Sequence, residues 1–96
     1  MHVEIIMPDA LIFKGEADAV KFPGKDGSFQ VLKDHAPIIA ALGEGKIKID
    51  LCSPHQQFDD LTGRIIHDSS KDKELNVFIK GGVMEMLNNE IIVLAE

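Results

Sequence analysis

One Cys-x-x-His pair, formed by Cys52 and His55, has a spacing from which zinc sites are built. A tetrahedral site needs further ligands, and His2 or His67 would have to supply them from distant parts of the chain. A single pair without a matched second pair is a weak signal, and histidines exposed at the surface are the simpler interpretation. We therefore expect no metal site and no cofactor.

A pair of carboxylates for acid–base catalysis is the next candidate, at Asp59 and Asp60. Adjacent residues of an extended chain point to opposite faces, so these two groups do not converge on one substrate atom. A solvated loop explains the pair better.

A phosphate-binding loop and a nucleophilic serine have equally little support. Residues Gly24–Ser28 contain Gly, Lys and Ser but lack the G-x-x-x-x-G-K-[ST] spacing, so they predict a tight turn. There is no G-x-S-x-G sequence, and no serine has a histidine at the offset of a local motif. A small hydrolase would need a pocket that joins a distant His to a Ser or Cys, and it ranks last among the functional hypotheses. We expect the chain not to be an enzyme.

Composition and charge narrow the class of protein. The sequence is 45% hydrophobic and 27% charged with a formal net charge of −6, which is typical of a soluble globular chain and disfavours nucleic acid as a main partner. Cys52 is the only cysteine, so no disulfide is predicted and a reducing compartment is expected. The longest apolar stretch, Ala36–Leu42, is far shorter than the roughly 20 residues that span a bilayer, and the N-terminus lacks a signal-peptide pattern.

Apolar residues recur with period two, which predicts β-strands. In Lys46–Leu51 apolar and charged residues strictly alternate, as in a half-buried strand. The same rhythm appears around residues 3–7, 29–31 and 75–79. Turn residues separate these segments and predict chain reversals at Pro8-Asp9, Pro23–Gly27, Gly43–Gly45, Gly81-Gly82 and Asn88-Asn89.

The Asn88-Asn89 pair is the clearest turn signal, because Asn tolerates positive φ and suits a type I′ turn. It predicts a hairpin of Val83–Leu87 with Ile91–Leu94. The second segment is apolar without alternation, which predicts cover on both of its faces and hence two packed sheets. Since no segment has three turns of helical periodicity, we predict an all-β fold. Its expected form is a single domain over residues 1–96, a flattened antiparallel two-sheet β-sandwich of about eight to ten short strands.

Residues 52–74 interrupt this regularity. They are polar and rich in turn residues around the apolar pair Ile65-Ile66, and they predict an extended connection. A short additional strand at Thr62–His67 is an open alternative, and the purpose of the connection is also open.

The run Gly27–Ile39 places apolar residues on both sides of a His-Ala-Pro sequence at residues 35–37. Pro37 biases Ala36 toward an extended conformation. Two interpretations are open: a crossover between the sheets, or an exposed edge that docks onto a partner.

Three segments carry a resemblance to a known family. They are Val3–Asp9 with Phe13–Glu16, Phe22–Leu32 leading to His35-Ala36-Pro37, and Val77–Met86 followed by Asn88-Asn89 and Val93–Glu96. In this order they resemble the N-terminal β-sandwich domain of the epsilon subunit of F-type ATP synthases, whose mitochondrial counterpart is called delta. The resemblance covers most of the chain.

This resemblance implies a non-catalytic rotor part of the central stalk, held between the gamma subunit and the c-ring and coupling ion-driven rotation to ATP synthesis. It implies a peripheral location at the cytoplasmic face of the bacterial inner membrane, with membrane association only through the complex. The alternative is a stand-alone β-sandwich that binds another protein or a small ligand.

The resemblance also implies a partner interface. In the family, the turn before the strand that begins G-x-[FLI] and the His-Ala-Pro corner face the polar loops of the ring and the base of gamma. The ring loops of the family carry Arg, to which Asp26 would offer a complementary charge. The corresponding positions are Asp26, Gly27, Ser28, Phe29, His35, Ala36, Pro37 and Ile38.

Most relatives continue into a two-helix domain that restrains ATP hydrolysis and, in some bacteria, binds ATP. The sequence ends at Glu96 without such a helical hairpin. We therefore expect no ATP binding by these 96 residues.

Overall fold

The computed structural model describes residues 1–52, 65–67 and 74–96, and all regular structure in these ranges is β-strand. This confirms the all-β prediction. The strands are β1 (His2–Met7), β2 (Ala10–Phe22), β3 (Phe29–Leu32), β4 (Ile38–Leu42), β5 (Gly45–Leu51), β6 (Ile65–His67), β7 (Glu74–Ile79), β8 (Gly82–Leu87) and β9 (Glu90–Ala95).

The strands form two sheets that share β2. Sheet A has the order β4-β8-β9-β1 and ends on the first half of β2, whereas sheet B contains the second half of β2 with β3, β5, β7 and β6. Strand β2 has 13 residues and is longer than the short strands that were predicted. Its register against β5 shifts between Ala17 and Ala19. Such an irregularity bends a strand, and here it lies where β2 passes from one sheet to the other.

The core lies between the sheets as one cluster of buried apolar residues. The alternating residues Ile47, Ile49 and Leu51 of β5 point into it, so the predicted half-buried strand is confirmed. A second register shift between β1 and β2 falls beside Ile12 and Phe13, which are consecutive and both fully buried. A bulge permits this because it places two residues of one strand opposite one of the other.

The hairpin of β8 and β9 confirms the strongest local prediction. Met86 pairs with Ile91 and Leu87 with Glu90, and the two turn residues have positive φ, 52° at Asn88 and 61° at Asn89. Both values belong to the left-handed region that a type I′ turn requires.

Three expectations need correction. Strands β1 and β9 are parallel, so the sheets are not wholly antiparallel. Ile92 and Leu94 are 43% and 58% exposed, so β9 is not covered on both faces; its outward residues are themselves apolar, which hid the alternation. The glycine segments 43–45 and 81–82 were predicted as chain reversals between antiparallel strands, but the two strands that each segment connects lie in different sheets and do not pair with each other.

The predicted connection at residues 52–74 lies mostly outside the described residues. Within it, Ile65–His67 pairs antiparallel with β7, which confirms the additional strand in a shorter form. No helix in the described part of the chain is long and apolar enough to cross a membrane.

Candidate functional site

The predicted turn between β2 and β3 is built on close packing at Gly24. The Gly27 N–H donates to the Gly24 carbonyl at 3.1 Å, and Gly27 has φ of 124°, where a side chain is strained. A Cβ at Gly24 would collide with the Gly27 carbonyl and the Phe29 ring. The Phe29 ring packs on the buried Phe22 ring at a centroid distance of 5.4 Å, which anchors the turn to the core.

This turn lies along the outer edge of β4. The Gly43 N–H donates to the Pro23 carbonyl at 2.7 Å, and the Lys25 N–H donates to the Ala41 carbonyl at 3.1 Å. The turn and β4 enclose a groove of about 340 Å³. Four of the predicted interface residues line it, namely Asp26, Gly27, Phe29 and Ile38.

Residues 33–37 form a corner that carries the chain from β3 in sheet B to β4 in sheet A, which confirms the crossover. Docking of this edge onto a partner stays a prediction. The His35 N–H donates to the Leu32 carbonyl at 3.1 Å, and the His35 ring Nδ1 donates to the Ala36 carbonyl at 2.6 Å. His35, Ala36 and Pro37 are all exposed. The corner therefore presents these three side chains to solvent at the start of β4.

Ser28 faces a different part of the surface. It lines a groove on the sheet B side, about 460 Å³ in volume, together with Lys21, Lys46 and Lys48. Lys48 Nζ lies 3.7 Å from the Glu74 carboxylate. The structure thus separates Ser28 from the four interface residues of the groove along β4.

The outer face of sheet A is a feature that the sequence interpretation missed. Of the seven large apolar side chains that the described residues expose, five lie on it. They are Ile39, Val83, Leu87, Ile92 and Leu94. A groove lined by Pro37, Ile38 and Leu87 connects this face to the corner. The signal was present in the unbroken apolar runs of β4 and β9, of which the run of β9 was interpreted as covered on both faces.

Charged side chains of β1 and β2 border this apolar face on one side. His2 lies between two carboxylates, with Nδ1 3.2 Å from Glu16 Oε2 and Nε2 3.2 Å from Glu4 Oε1, and Lys14 Nζ is 3.9 Å from the same Glu4 oxygen. Surface pairs of this kind contribute little to stability. Among the residues that the structure describes, no three His, Cys, Asp or Glu side chains are arranged to hold a metal ion.

Cys52 is the cysteine of the candidate metal pair. Its surroundings differ from those of a metal-binding or nucleophilic cysteine. Its Sγ donates a hydrogen bond to Asp18 Oδ1 at 3.1 Å, while His55 lies outside the described residues. Partial desolvation first, and then the hydrogen bond to Asp18 and its negative charge, raise the pKa of the Cys52 thiol. A raised pKa lowers the thiolate fraction, which is the opposite of what nucleophilic catalysis needs.

We expect Cys52 to be alkylated by iodoacetamide at pH 8 more slowly than N-acetylcysteine, because less of its thiol is ionised. Asp18→Asn removes the negative charge and should accelerate the reaction. Initial rates between pH 7 and pH 10 test both points, and the rate of the native chain should rise at higher pH than that of the variant. Equal profiles for the two proteins would refute the role of Asp18.

No arrangement typical of a hydrolase is found among the described residues. The four grooves described for this part of the chain contain no histidine, so none joins a His to Ser28 or Cys52. The largest, of about 890 Å³, lies at the end of the sandwich where the glycine connections meet and is lined by Lys25, Lys80 and Glu96 among others.

Comparison with known proteins gives a consistent result. Residues 1–58, more than half of the chain, match the family model of the β-sandwich domain of the ATP synthase delta/epsilon chain. The chain is 39% identical over 96 residues to the ATP synthase epsilon chain of Salinibacter ruber, covering 100% of this chain and 58% of that protein. It is 36% identical over 94 residues to the epsilon chain of Chlorobium limicola, covering 98% of this chain and 86% of that protein.

A solved structure shows the same fold. It is a cryo-EM structure described as the central stalk and c-ring of the mitochondrial ATP synthase of Tetrahymena thermophila, and the matching chain aligns with a TM-score of 0.67 at 14% identity. The alignment covers 99% of this chain and 62% of that one. On the strength of its fold, its family model and its relatives, the chain belongs to the β-sandwich family of ATP synthase delta and epsilon chains.

Proposed function

We propose that this protein is a non-catalytic rotor subunit of an F-type ATP synthase, which links the gamma subunit to the c-ring and couples ion-driven rotation to ATP synthesis. The observation that carries the proposal is the match to epsilon chains over 94 to 96 residues, essentially the whole sequence. Because these relatives are bacterial, we place the complex at the cytoplasmic face of the inner membrane, with this subunit attached peripherally.

The proposed contact surface has two continuous parts. The first is the edge that runs from the groove around Asp26 and Phe29 along β4 to the corner at residues 35–37, which we assign to the ring and the base of gamma. The second is the apolar outer face of sheet A, which we assign to gamma. Leu87 and Pro37 line one groove and join the two parts. Contiguous exposed apolar patches of this kind mark protein–protein contacts.

The fold suits a part that transmits torque. A rotor element must deform little under load, and closely packed interiors have low compressibility. Strand β2 helps, because it pairs with β1 in one sheet and with β5 in the other, so the two layers share a covalent chain. The proposed role needs no reacting group. It needs only a rigid domain with two binding surfaces.

Asp26→Lys should weaken binding to the c-ring. Asp26 is exposed at the tip of the turn, where a carboxylate would meet basic ring loops. Reversing a charge at the rim of an interface acts mainly on association at low salt, and we expect a loss of roughly three- to tenfold in affinity that shrinks as salt is raised. Titration of immobilised c-ring at two ionic strengths measures this.

Asp50→Lys is the matched control for that prediction. It makes the same charge change on β5, opposite Glu74 in the sheet B register and away from the proposed edge. The affinity of this variant for the ring should stay within about twofold of the native value, since surface charges that lie outside an interface have small effects on binding. Equal losses for both variants would show that only net charge matters.

The proposal as a whole is tested by reconstitution with gamma and by purification from membranes. A stalk subunit forms an equimolar complex with gamma and copurifies with ATPase activity. The alternative, a stand-alone binding module, predicts a protein that is recovered without either. That second result would overturn the proposed function.

A further inference from the structure

We propose that Asp34 and Asn89 form a side-chain clamp that holds the corner in the geometry its partner recognises, so that Asn89 is a positioning residue for an interface it does not itself form. The inference rests on the proposed function and adds a residue to it.

The clamp joins two elements that are 55 positions apart in sequence. The Asp34 N–H donates to Asn89 Oδ1 at 2.6 Å, and Asn89 Nδ2 donates in return to Asp34 Oδ1 at 2.8 Å. The Asn89 backbone carbonyl also accepts a hydrogen bond from the His2 N–H at 2.8 Å. One residue of the β8–β9 turn thus connects the corner to the start of β1.

Both clamp residues have positive φ, 67° at Asp34 and 61° at Asn89. Glycine adopts this conformation with less strain than any other residue. Asn89→Gly would relieve the backbone but remove both bonds, whereas Asp34→Gly would remove only the bond that Asn89 Nδ2 donates. The chain therefore keeps two conformationally disfavoured residues whose side chains are bonded to each other.

The corner has few other restraints. All five residues from 33 to 37 are exposed, so burial does not hold them. The other described backbone bonds of the corner are to the Leu32 carbonyl, in the same turn, and a long one of 3.4 Å from Lys33 to the Asp18 carbonyl. Of the hydrogen bonds between described residues, those of the clamp are the ones that tie the corner to sheet A before β4 begins. The positions of His35, Ala36 and Pro37 therefore depend on it.

Asn89→Gly in the full chain is the decisive variant, because it preserves positive φ and deletes the clamp. Amide exchange of Asp34, followed by NMR, should become roughly five- to tenfold faster once its acceptor is lost. Affinity for a complex of gamma and c-ring from the same organism should fall roughly three- to tenfold. Asp34→Gly removes only the bond from Asn89 Nδ2, because the backbone N–H at position 34 can still donate to Asn89 Oδ1, so its loss of affinity should be smaller. The double variant should bind no worse than Asn89→Gly, because Asn89→Gly alone already removes both bonds.

Asn88→Gly is the matched control. Asn88 is the neighbouring turn residue with φ of 52°, and no hydrogen bond joins it to the described part of the corner. In Asn88→Gly, the amide exchange of Asp34 and the affinity for the complex of gamma and c-ring should both stay at the native level. Asp34→Asn keeps a carbonyl acceptor for Asn89 Nδ2 and should retain most of the native affinity. Thermal unfolding separates the clamp from general stability, because Asn89→Gly and Asn88→Gly should unfold at similar temperatures while only the former loses binding.

The outcomes distinguish the inference from the function on which it rests. Unchanged Asp34 exchange in Asn89→Gly refutes the clamp and leaves the rotor role standing. If Asp34 exchanges faster in Asn89→Gly but the variant binds gamma and the c-ring with native affinity, the clamp has no part in recognition. If the native chain binds neither gamma nor the ring, the proposed function and the recognition role fail together, while the exchange data still decide the clamp.

Discussion

Gly82→Ala should destabilise the fold by about 3 to 5 kcal/mol, which combines backbone strain with overpacking. Gly82 has φ of 150°, in the region that side chains rarely adopt, and it is the first residue of β8. A Cβ there would collide with the Leu94 carbonyl and approach the Ala95 Cα at 3.0 Å, both in the paired strand β9. Since neither obstacle is a flexible side chain, the hairpin itself must shift.

This loss is large for a domain of 96 residues, whose total stability is expected to be roughly 5 to 14 kcal/mol. Urea denaturation followed by far-UV circular dichroism measures it. Gly81→Ala is the matched control: its φ is not positive, and the nearest atom to its Cβ would be the Leu42 carbonyl oxygen at 3.4 Å. We expect a change within about 1 kcal/mol for that variant. Similar losses at the two glycines would contradict the assignment of the conflict to Gly82.

Phe22→Ala should cost about 3 to 5 kcal/mol and also loosen the turn at Asp26. Phe22 is 0% exposed at the end of β2, and its ring supports Phe29, which lines the groove along β4. Removing it opens a cavity under the proposed interface. Faster amide exchange of Gly27 would report the loosened turn, because the N–H of that residue bonds to the Gly24 carbonyl.

The control is Phe78→Ala, the same substitution at a ring that is 53% exposed on the outer face of sheet B. Truncation at an exposed site leaves no cavity, so the change in stability should be below about 1 kcal/mol and the turn should be unaffected. A stability loss at Phe78 as large as that at Phe22 would show that burial between the sheets is not the source of the effect.

Local sequence patterns predicted most of the strands correctly, and also the turns at residues 8–9, 23–27 and 88–89. Alternation placed Ile47, Ile49 and Leu51 on one face because successive side chains of a strand point to opposite sides. The Asn88-Asn89 pair predicted its turn because Asn accepts positive φ. Both rules act over a few residues and need no knowledge of partners.

The same rules failed where apolar side chains are exposed, because the rules assume that an apolar residue is buried. The apolar run of β9 was interpreted as doubly covered, yet Ile92 and Leu94 face outward. An apolar side chain has the same identity in a core and on a surface that awaits a protein partner. Pattern alone therefore hid the face that we assign to gamma.

The sequence by itself determined where most of the strands lie and, through a family resemblance, which residues to examine at the interface. Only the tertiary structure decided that β1 pairs in parallel with β9, that β2 serves both sheets, and that Asp34 meets Asn89. The physical reason is the distance in sequence over which each interaction acts. Alternation and turn propensity are properties of neighbouring residues, whereas strand pairing and a bond across 55 positions depend on how the whole chain closes around its core.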